Sequence, residues 1–140
     1  ANADYSHAEG AGTKAAGIGS HAEGNGTETP GQYSHAEGKE TQARGGFSHA
    51  EGYKTVALGD YQHVSGKYNL TGSQYKDYLF IVGNGEYIEA SASRPAYESR
   101  SNAFAIDKFG NIEIVSDNEE YLNDYFSHLL KLNHIIDFHR

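Results

Sequence analysis

The sequence predicts a mainly β protein in which 14-residue coils stack on one another, followed by a small β module and a C-terminal α-helix. Three observations carry this prediction. Residues 1–66 repeat one motif every 14 residues, residues 77–115 contain apolar runs separated by Gly and Asn, and residues 116–140 contain no Gly or Pro. We assign residues 67–76 to a polar connector between the repeats and the β module.

The composition excludes several classes of protein. Thirteen of the 17 Gly lie in the first 66 of 140 residues, so the chain does not have one isotropic core. The absence of Cys excludes disulfides, thiolate metal ligands and Cys nucleophiles. The net charge of −8 argues against binding to a phosphate backbone. No apolar run approaches the ~18 residues of a membrane span. We therefore expect no nucleic-acid partner and no membrane insertion.

The motif Ser-His-Ala-Glu-Gly occurs four times, starting at residues 6, 20, 34 and 48, and a divergent fifth copy, His-Val-Ser-Gly, occupies 63–66. Thr, Ala and Gly recur at the same spacing in the rest of each unit. Side chains of an extended chain alternate between two faces, and 14 is even. Two short strands and two turns therefore close one coil, with equivalent residues stacked about 4.8 Å apart. Ser, Ala and Gly are expected inside this coil, with His and Glu outside.

The unit S-x-A-x-G-x-x-T-x-A-x-G resembles the head repeat of YadA-like trimeric autotransporter adhesins. Its S-H-A-E-G form is similar to repeats in tail and appendage proteins of phages that infect Gram-positive bacteria. The stretches LFIVGNG and RSNAFAID, followed by a Gly-Asn hairpin, extend this second resemblance into the β module. The resemblance implies a left-handed parallel β-roll in which three chains pack side by side. It also implies a location in the virion tail, or alternatively on the bacterial cell surface.

The repeated His and Glu are predicted to form a structural ladder between protomers, because paired charges fix the register of stacked coils. An alternative is metal or anion binding where three His converge on the trimer axis. We assign no metal and no other cofactor. Because His titrates near neutral pH, the ladder predicts that stability changes between about pH 5 and 7. The ladder residues are His7, Glu9, His21, Glu23, His35, Glu37, His49, Glu51 and His63.

The β module is predicted to contain three strands, at residues 78–82, 104–106 and 112–115, with a turn at 83–85 and a hairpin joining the last two strands. Residues 86–99 are predicted to form a long loop. Long loops in compact modules are often functional, and Tyr-rich loops make good contact surfaces. The alternative is a loop that folds back onto its own trimer. The candidate contacts to a host-surface glycan or protein receptor are Tyr87, Ile88, Arg94 and Tyr97.

The C-terminal segment has apolar residues at heptad spacing, which predicts a helix that packs on its symmetry mates. An isolated helix of this length is only marginally stable in water, so self-association is expected. The predicted core positions of this trimerisation helix are Leu122, Tyr125, Leu129, Leu132 and Ile136.

No catalytic residue is assigned. The Ser-His dipeptides place the two side chains on opposite faces of a strand, so they do not form a catalytic dyad. The repeated Glu leave glycan hydrolysis open as an alternative. Ser116-Asp117 is similar to the junction where self-cleaving chaperones begin in phage tail spikes, but the nearby Lys of those junctions is missing.

The sequence thus predicts a homotrimeric phage tail-fibre module that contacts other tail proteins and a host receptor. The main alternative is a bacterial trimeric adhesin head.

Overall fold

The computed structural model describes residues 1–115. The predicted trimerisation helix, with Leu122, Tyr125, Leu129, Leu132 and Ile136, lies outside the described residues, as does the Ser116-Asp117 junction. Within residues 1–115 the chain is mainly β, with one short 3₁₀ helix at Ser73–Asp77.

Fourteen strands follow one another along the described residues. Nine of them belong to the repeats and alternate between five and two residues in length: β1 His7–Ala11, β2 Lys14–Ala15, β3 His21–Asn25, β4 Glu28–Thr29, β5 His35–Lys39, β6 Gln42–Ala43, β7 His49–Tyr53, β8 Val56–Ala57 and β9 His63–Lys67. The remaining five are β10 Tyr78–Asn84, β11 Glu86–Ile88, β12 Tyr97–Ser99, β13 Asn102–Asp107 and β14 Ile112–Ile114.

Each of the first four coils contributes one five-residue strand and one two-residue strand to two separate sheets, and the fifth coil contributes only the long strand β9. The long strands pair in parallel in the order β1-β3-β5-β7-β9, and the short strands pair in parallel in the order β2-β4-β6-β8. The register keeps the sequence period, so His7 lies opposite His21 and His49 opposite His63. The predicted parallel solenoid with 14-residue coils is therefore confirmed.

The interior of the solenoid holds almost only small side chains. Ala22, Ala36 and Ala50 of the long strands and Ala43 and Ala57 of the short strands are fully buried. From the second coil onward the repeated Thr and Ser are also buried, namely Thr27, Thr41, Thr55, Ser20, Ser34 and Ser48. Two of these Ser hydroxyls donate hydrogen bonds to the Gly carbonyl three residues earlier, at 2.6 and 2.7 Å. The coil is consequently as narrow as the repeat of small residues predicts.

The Gly that ends each SHAEG motif is required by its backbone. Gly38 has a φ of +105°, which L-residues rarely adopt. A Cβ at this position would also lie 2.2 Å from the carbonyl oxygen of Gly52 in the next coil. The expectation that this Gly lies inside the coil is wrong, because Gly38 is exposed to solvent. Close stacking of the backbone, and not burial of a side chain, explains why Gly recurs.

A sixth coil follows the five that the motif marks. In β10, Phe80 pairs with His63 and Ile81 with Val64, so this strand is the last rung of the parallel sheet. Phe80 lies seventeen residues after His63 instead of fourteen, because the 3₁₀ helix is inserted between them. Gln62 stands where earlier coils have Ser, and its carboxamide Nε2 donates to the carbonyls of Tyr75 and Tyr78, both at 2.7 Å. This side chain closes the inserted segment onto the solenoid.

The small β module is joined to the sixth coil by strand pairing. Strand β10 pairs antiparallel with β13, which pairs antiparallel with β14, so one continuous sheet joins the module to the repeats. The expected turn at 83–85 is absent, because β10 continues to Asn84 and β11 begins at Glu86. The segment 86–99, expected to be a loop, instead forms an antiparallel hairpin of β11 and β12. We call this hairpin the arm.

Candidate functional site

The five repeated His form a continuous stack of imidazole rings along the long-strand sheet. Successive ring centroids from His7 to His63 lie 5.0, 4.7, 4.8 and 4.6 Å apart. The stack arises because parallel strands in register place identical side chains one coil apart. Its last ring, His63, stacks on Phe80 at 5.2 Å, so the inserted segment and the sixth coil end the ladder.

The Glu of the ladder lie beside the imidazole rings of their own coil or of the next one. Glu9 contacts both His7 and His21. The distances from imidazole Nε2 to the nearest carboxylate oxygen are 3.5 Å for His7–Glu9, 4.0 Å for Glu9–His21, 3.7 Å for His21–Glu23, 3.5 Å for Glu37–His49 and 3.6 Å for Glu51–His63. The structure thus brings the predicted ladder residues together within one chain, and contacts between protomers stay a prediction.

The ladder has an unusual charge balance. Among residues 1–115, the ion pairs of these four Glu are all with His and none is with Lys or Arg. Burial lowers the pKa of His49 below its ordinary value near 6.5, and charge on the neighbouring His63 and His35 lowers it further. Glu51 and Glu37 oppose this shift. Protonation of His49 is therefore disfavoured both by burial and by charge on the two imidazole rings next to it in the stack.

A second ladder of rings runs along the turns that precede the long strands. Tyr33, Phe47 and Tyr61 stack with both centroid separations at 5.3 Å, and their ring planes differ by 16° and 6°. Between 55% and 68% of each residue is exposed. The three residues recur in the sequence at an interval of 14. Their 14-residue spacing was the signal, because register alone forces them to stack.

The arm brings three of the four candidate contact residues to one side. Ile88 lies opposite Tyr97 in the β11–β12 pair, and the Arg94 guanidinium lies 5.1 Å from the centroid of the Tyr97 ring. Tyr87 lies one position earlier in β11, so its side chain faces the other side of the hairpin. There it lines a cleft of about 460 Å³ together with Tyr53, Lys54, Lys67, Tyr68 and Glu86.

Charged groups hold the base of the arm against the solenoid. Glu98 in β12 accepts from Lys54 at 2.6 Å and from Arg100 at 3.1 Å. Arg100 also donates to the carbonyl oxygens of Lys54 at 3.0 Å and Asn69 at 3.3 Å. The hydrogen bond from Lys54 lowers the pKa of Glu98 and raises the pKa of Lys54. This cluster was not predictable from sequence, since Lys54 lies 44 residues before Glu98 in the chain.

These features define a β-solenoid repeat protein with two half-exposed ring ladders and a small antiparallel module carrying an arm. The chain matches no protein family, no curated protein and no solved structure. In the part of the chain that the structure describes, no helix has the length and apolar character needed to cross a membrane.

Proposed function

We propose that this chain is a structural and adhesive module of a phage tail fibre or appendage, and that it works as a homotrimer of left-handed β-rolls. The SHAEG motif and the order of repeats and β module support this proposal, because both resemble phage appendage proteins. We propose no enzymatic activity for this role.

The observation that carries the proposal is the pair of half-exposed ring ladders on a solenoid with a core of small residues. Each coil packs only on its neighbours, as in other repeat proteins. A core of Ala, Thr and Ser buries little apolar area, so one coil gains little from the hydrophobic effect. Continuous stripes of exposed rings mark surfaces that associate. Lateral packing of three chains would bury such stripes along their length.

The C-terminal residues complete this proposal. We propose that residues 116–140 form the trimerisation helix, with Leu122, Leu129 and Ile136 among its core positions. The heptad spacing of the sequence supports this role, because the same residues face one another when three such helices align. Other tail proteins are the proposed partners of the trimer beyond its own chains.

We propose that the arm contacts a host-surface glycan or protein. Tyr87 and Tyr97 are about half exposed, and Arg94 lies against the Tyr97 ring. Tyr supplies large contact area with few rotatable bonds, which keeps the entropic cost of binding low. The arm also extends from the end of the solenoid without taking part in its sheets.

Adsorption to bacterial cells tests this function. The fluorescently labelled full chain should adsorb to Gram-positive cells, and the double change Tyr87→Ser and Tyr97→Ser should reduce adsorption at least about tenfold, equivalent to ~1.4 kcal/mol. Tyr5→Ser is the matched control, because Tyr5 is 93% exposed in the first coil. Equal adsorption of all three proteins would count against the arm as the contact surface.

The alternative is the head of a bacterial trimeric adhesin, which shares the proposed trimeric roll and differs in location. The repeated small residues favour it as much as they favour the phage module. Antibody labelling separates the two, because a tail module is found on phage particles and an adhesin head on the bacterial cell surface.

A further inference from the structure

We propose that the His/Glu ladder binds Zn²⁺, and that each chain holds two ions. The ladder contains three groups of three side chains that could hold a metal ion. Each side chain offers one ligand atom, and the three ligand atoms of a group all lie within 4.8 Å of one another. The groups are His7, Glu9 and His21; His21, Glu23 and His35; and Glu37, His49 and Glu51. All ligands of a group belong to one chain, so this inference does not rest on the proposed trimer.

The distances within the groups are those of ligands around an ion. The Nε2-to-oxygen separations of 3.5 to 4.0 Å exceed the usual 2.7–3.2 Å of an N–H···O hydrogen bond. Two ligand atoms that are each about 2.1 Å from a tetrahedral ion lie about 3.4 Å apart. The His-to-Glu separations are therefore close to the spacing that an ion between the atoms requires, and the wider separations in each group, up to 4.8 Å, shorten when an ion binds.

Three imidazole nitrogens are left without a hydrogen-bond partner. The Nε2 atoms of His21, His35 and His49 are shielded from solvent and accept or donate no hydrogen bond among the described residues. Shielded polar atoms without a partner are rare because their desolvation is costly. All three belong to the proposed groups. Ions held by the second and third groups would give each of these nitrogens a partner for its lone pair.

The ligand types select the ion. Imidazole nitrogen with carboxylate oxygen is a donor set typical of Zn²⁺, whereas Mg²⁺ and Ca²⁺ prefer oxygen ligands alone. The carboxylates of Glu9, Glu23 and Glu37 line one open groove, one above another. Like charges stacked on neighbouring strands repel. A divalent cation between them would remove this repulsion, and each group leaves a fourth coordination position open.

The shared ligand fixes the number of ions. His21 belongs to both of the first two groups, so its single Nε2 serves one of them at a time. The third group shares no ligand with the others. His63 stacks on His49 and contacts Glu51 but belongs to none of the groups. The geometry thus predicts two ions per chain and identifies His63 as a ladder histidine that neither ion needs.

Titration calorimetry and equilibrium dialysis of the full chain with Zn²⁺ test the inference. We expect two ions per chain for the wild type, one for His21→Gln, one for His49→Gln and none for the double variant. His63→Gln is the matched control and should still bind two. Each variant is first compared with the wild type in EDTA by circular dichroism, so that a loss of binding is not a loss of folding.

Co²⁺ provides a second readout that does not depend on stoichiometry. Bound at these groups, Co²⁺ should show the intense visible absorption of four-coordinate geometry, and the variants should lower this absorption in the same pattern as the stoichiometry. The proposal is overturned if the wild type binds no Zn²⁺. It is equally overturned if His21→Gln and His49→Gln bind as many ions as the wild type, because the ions would then be held elsewhere.

Discussion

Asn69 pairs with the backbone of Val56 through both ends of its carboxamide. The Val56 N–H donates to Asn69 Oδ1 at 2.8 Å, and Asn69 Nδ2 donates to the Val56 carbonyl at 3.0 Å. In earlier coils the equivalent N–H, such as that of Gln42, donates to the backbone carbonyl of the repeated Thr in the next coil. Asn69 occupies the position of that Thr, and its side chain replaces the missing strand. It therefore caps the short-strand sheet at Val56.

The cap predicts a large effect of an isosteric change. Asn69→Asp removes the donor to the carbonyls of Val56 and Leu70 and places a carboxylate in a fully buried site. We expect the free energy of unfolding to fall by about 3 kcal/mol or more. Denaturant unfolding measures this, with Asn25→Asp at an exposed strand end as control. Equal stability of the two variants would show that the cap is unimportant.

Replacing Gly by Ala is expected to lower the free energy of unfolding by different amounts at two positions of the repeats. Gly38→Ala adds a Cβ 2.2 Å from the Gly52 oxygen at a φ of +105°, whereas Gly12→Ala meets nothing nearer than 3.9 Å at a φ of +68°. We expect a loss of about 1 kcal/mol for Gly12→Ala, from backbone strain alone. Gly38→Ala should lose about 3 kcal/mol or more, because overpacking adds to strain. Similar thermal midpoints for both variants would contradict close coil stacking.

The aromatic ladder predicts an inverted order of Ala and Gly at Phe47. Both substitutions remove stacking on Tyr33 and Tyr61. Phe47 has a φ of +56°, so Ala keeps the strain of the left-handed conformation and Gly relieves it. We expect Phe47→Gly to be about 1 kcal/mol more stable than Phe47→Ala in denaturant unfolding. In an ordinary strand position Gly is the less stable of the two, and that order here would refute the assigned backbone conformation.

The ladder also predicts how stability depends on pH in the metal-free protein. The pKa of His49 is lower in the folded chain than its ordinary value near 6.5, chiefly because of burial. Between these two values the unfolded chain binds more protons, so the free energy of unfolding falls as the pH falls through this window. Above pH 6.5 the residue is neutral in both states and contributes no dependence. Thermal midpoints in EDTA from pH 5 to 8 should therefore decline on the acid side.

His49→Gln provides the control for this pH dependence. Its midpoint should decline less between pH 6.5 and 5 than that of the wild type, because one titrating ring has left the stack. A wild-type midpoint that rises on acidification would mean that the carboxylates outweigh burial and stabilise the protonated ladder.

The solenoid was predictable because its residues carry the pattern locally. The repeat has an even period, small residues at its buried positions and Gly at two fixed positions in each unit. Together these features predict the strands β1 to β9. The sixth coil was not predictable in this way, because Phe80 and Ile81 replace His and Ala and the spacing changes. Only the pairing of Gly83 with Gly66 preserves the motif there.

The parts of the candidate site that depend on tertiary contacts were also missed. From the sequence, Asn69 is a polar residue of the connector, and only the structure shows the hydrogen bonds between its carboxamide and the backbone of Val56. The arm was predicted to be a loop because β11 and β12 have only three residues each, too few to show the alternating pattern of a strand in the sequence. The ladder residues were found from sequence, but their ligand-like spacing within one chain depends on side-chain positions that periodicity alone does not give.

The mass of the full chain in solution tests the central claim most directly. Light scattering after size exclusion at neutral pH should give the mass of three chains of 15.3 kDa, with a hydrodynamic radius larger than that of a compact protein of that mass. This result is what a homotrimeric fibre module predicts. A monomer with a compact radius would contradict the trimer, and with it the proposal that the two ring ladders lie between chains.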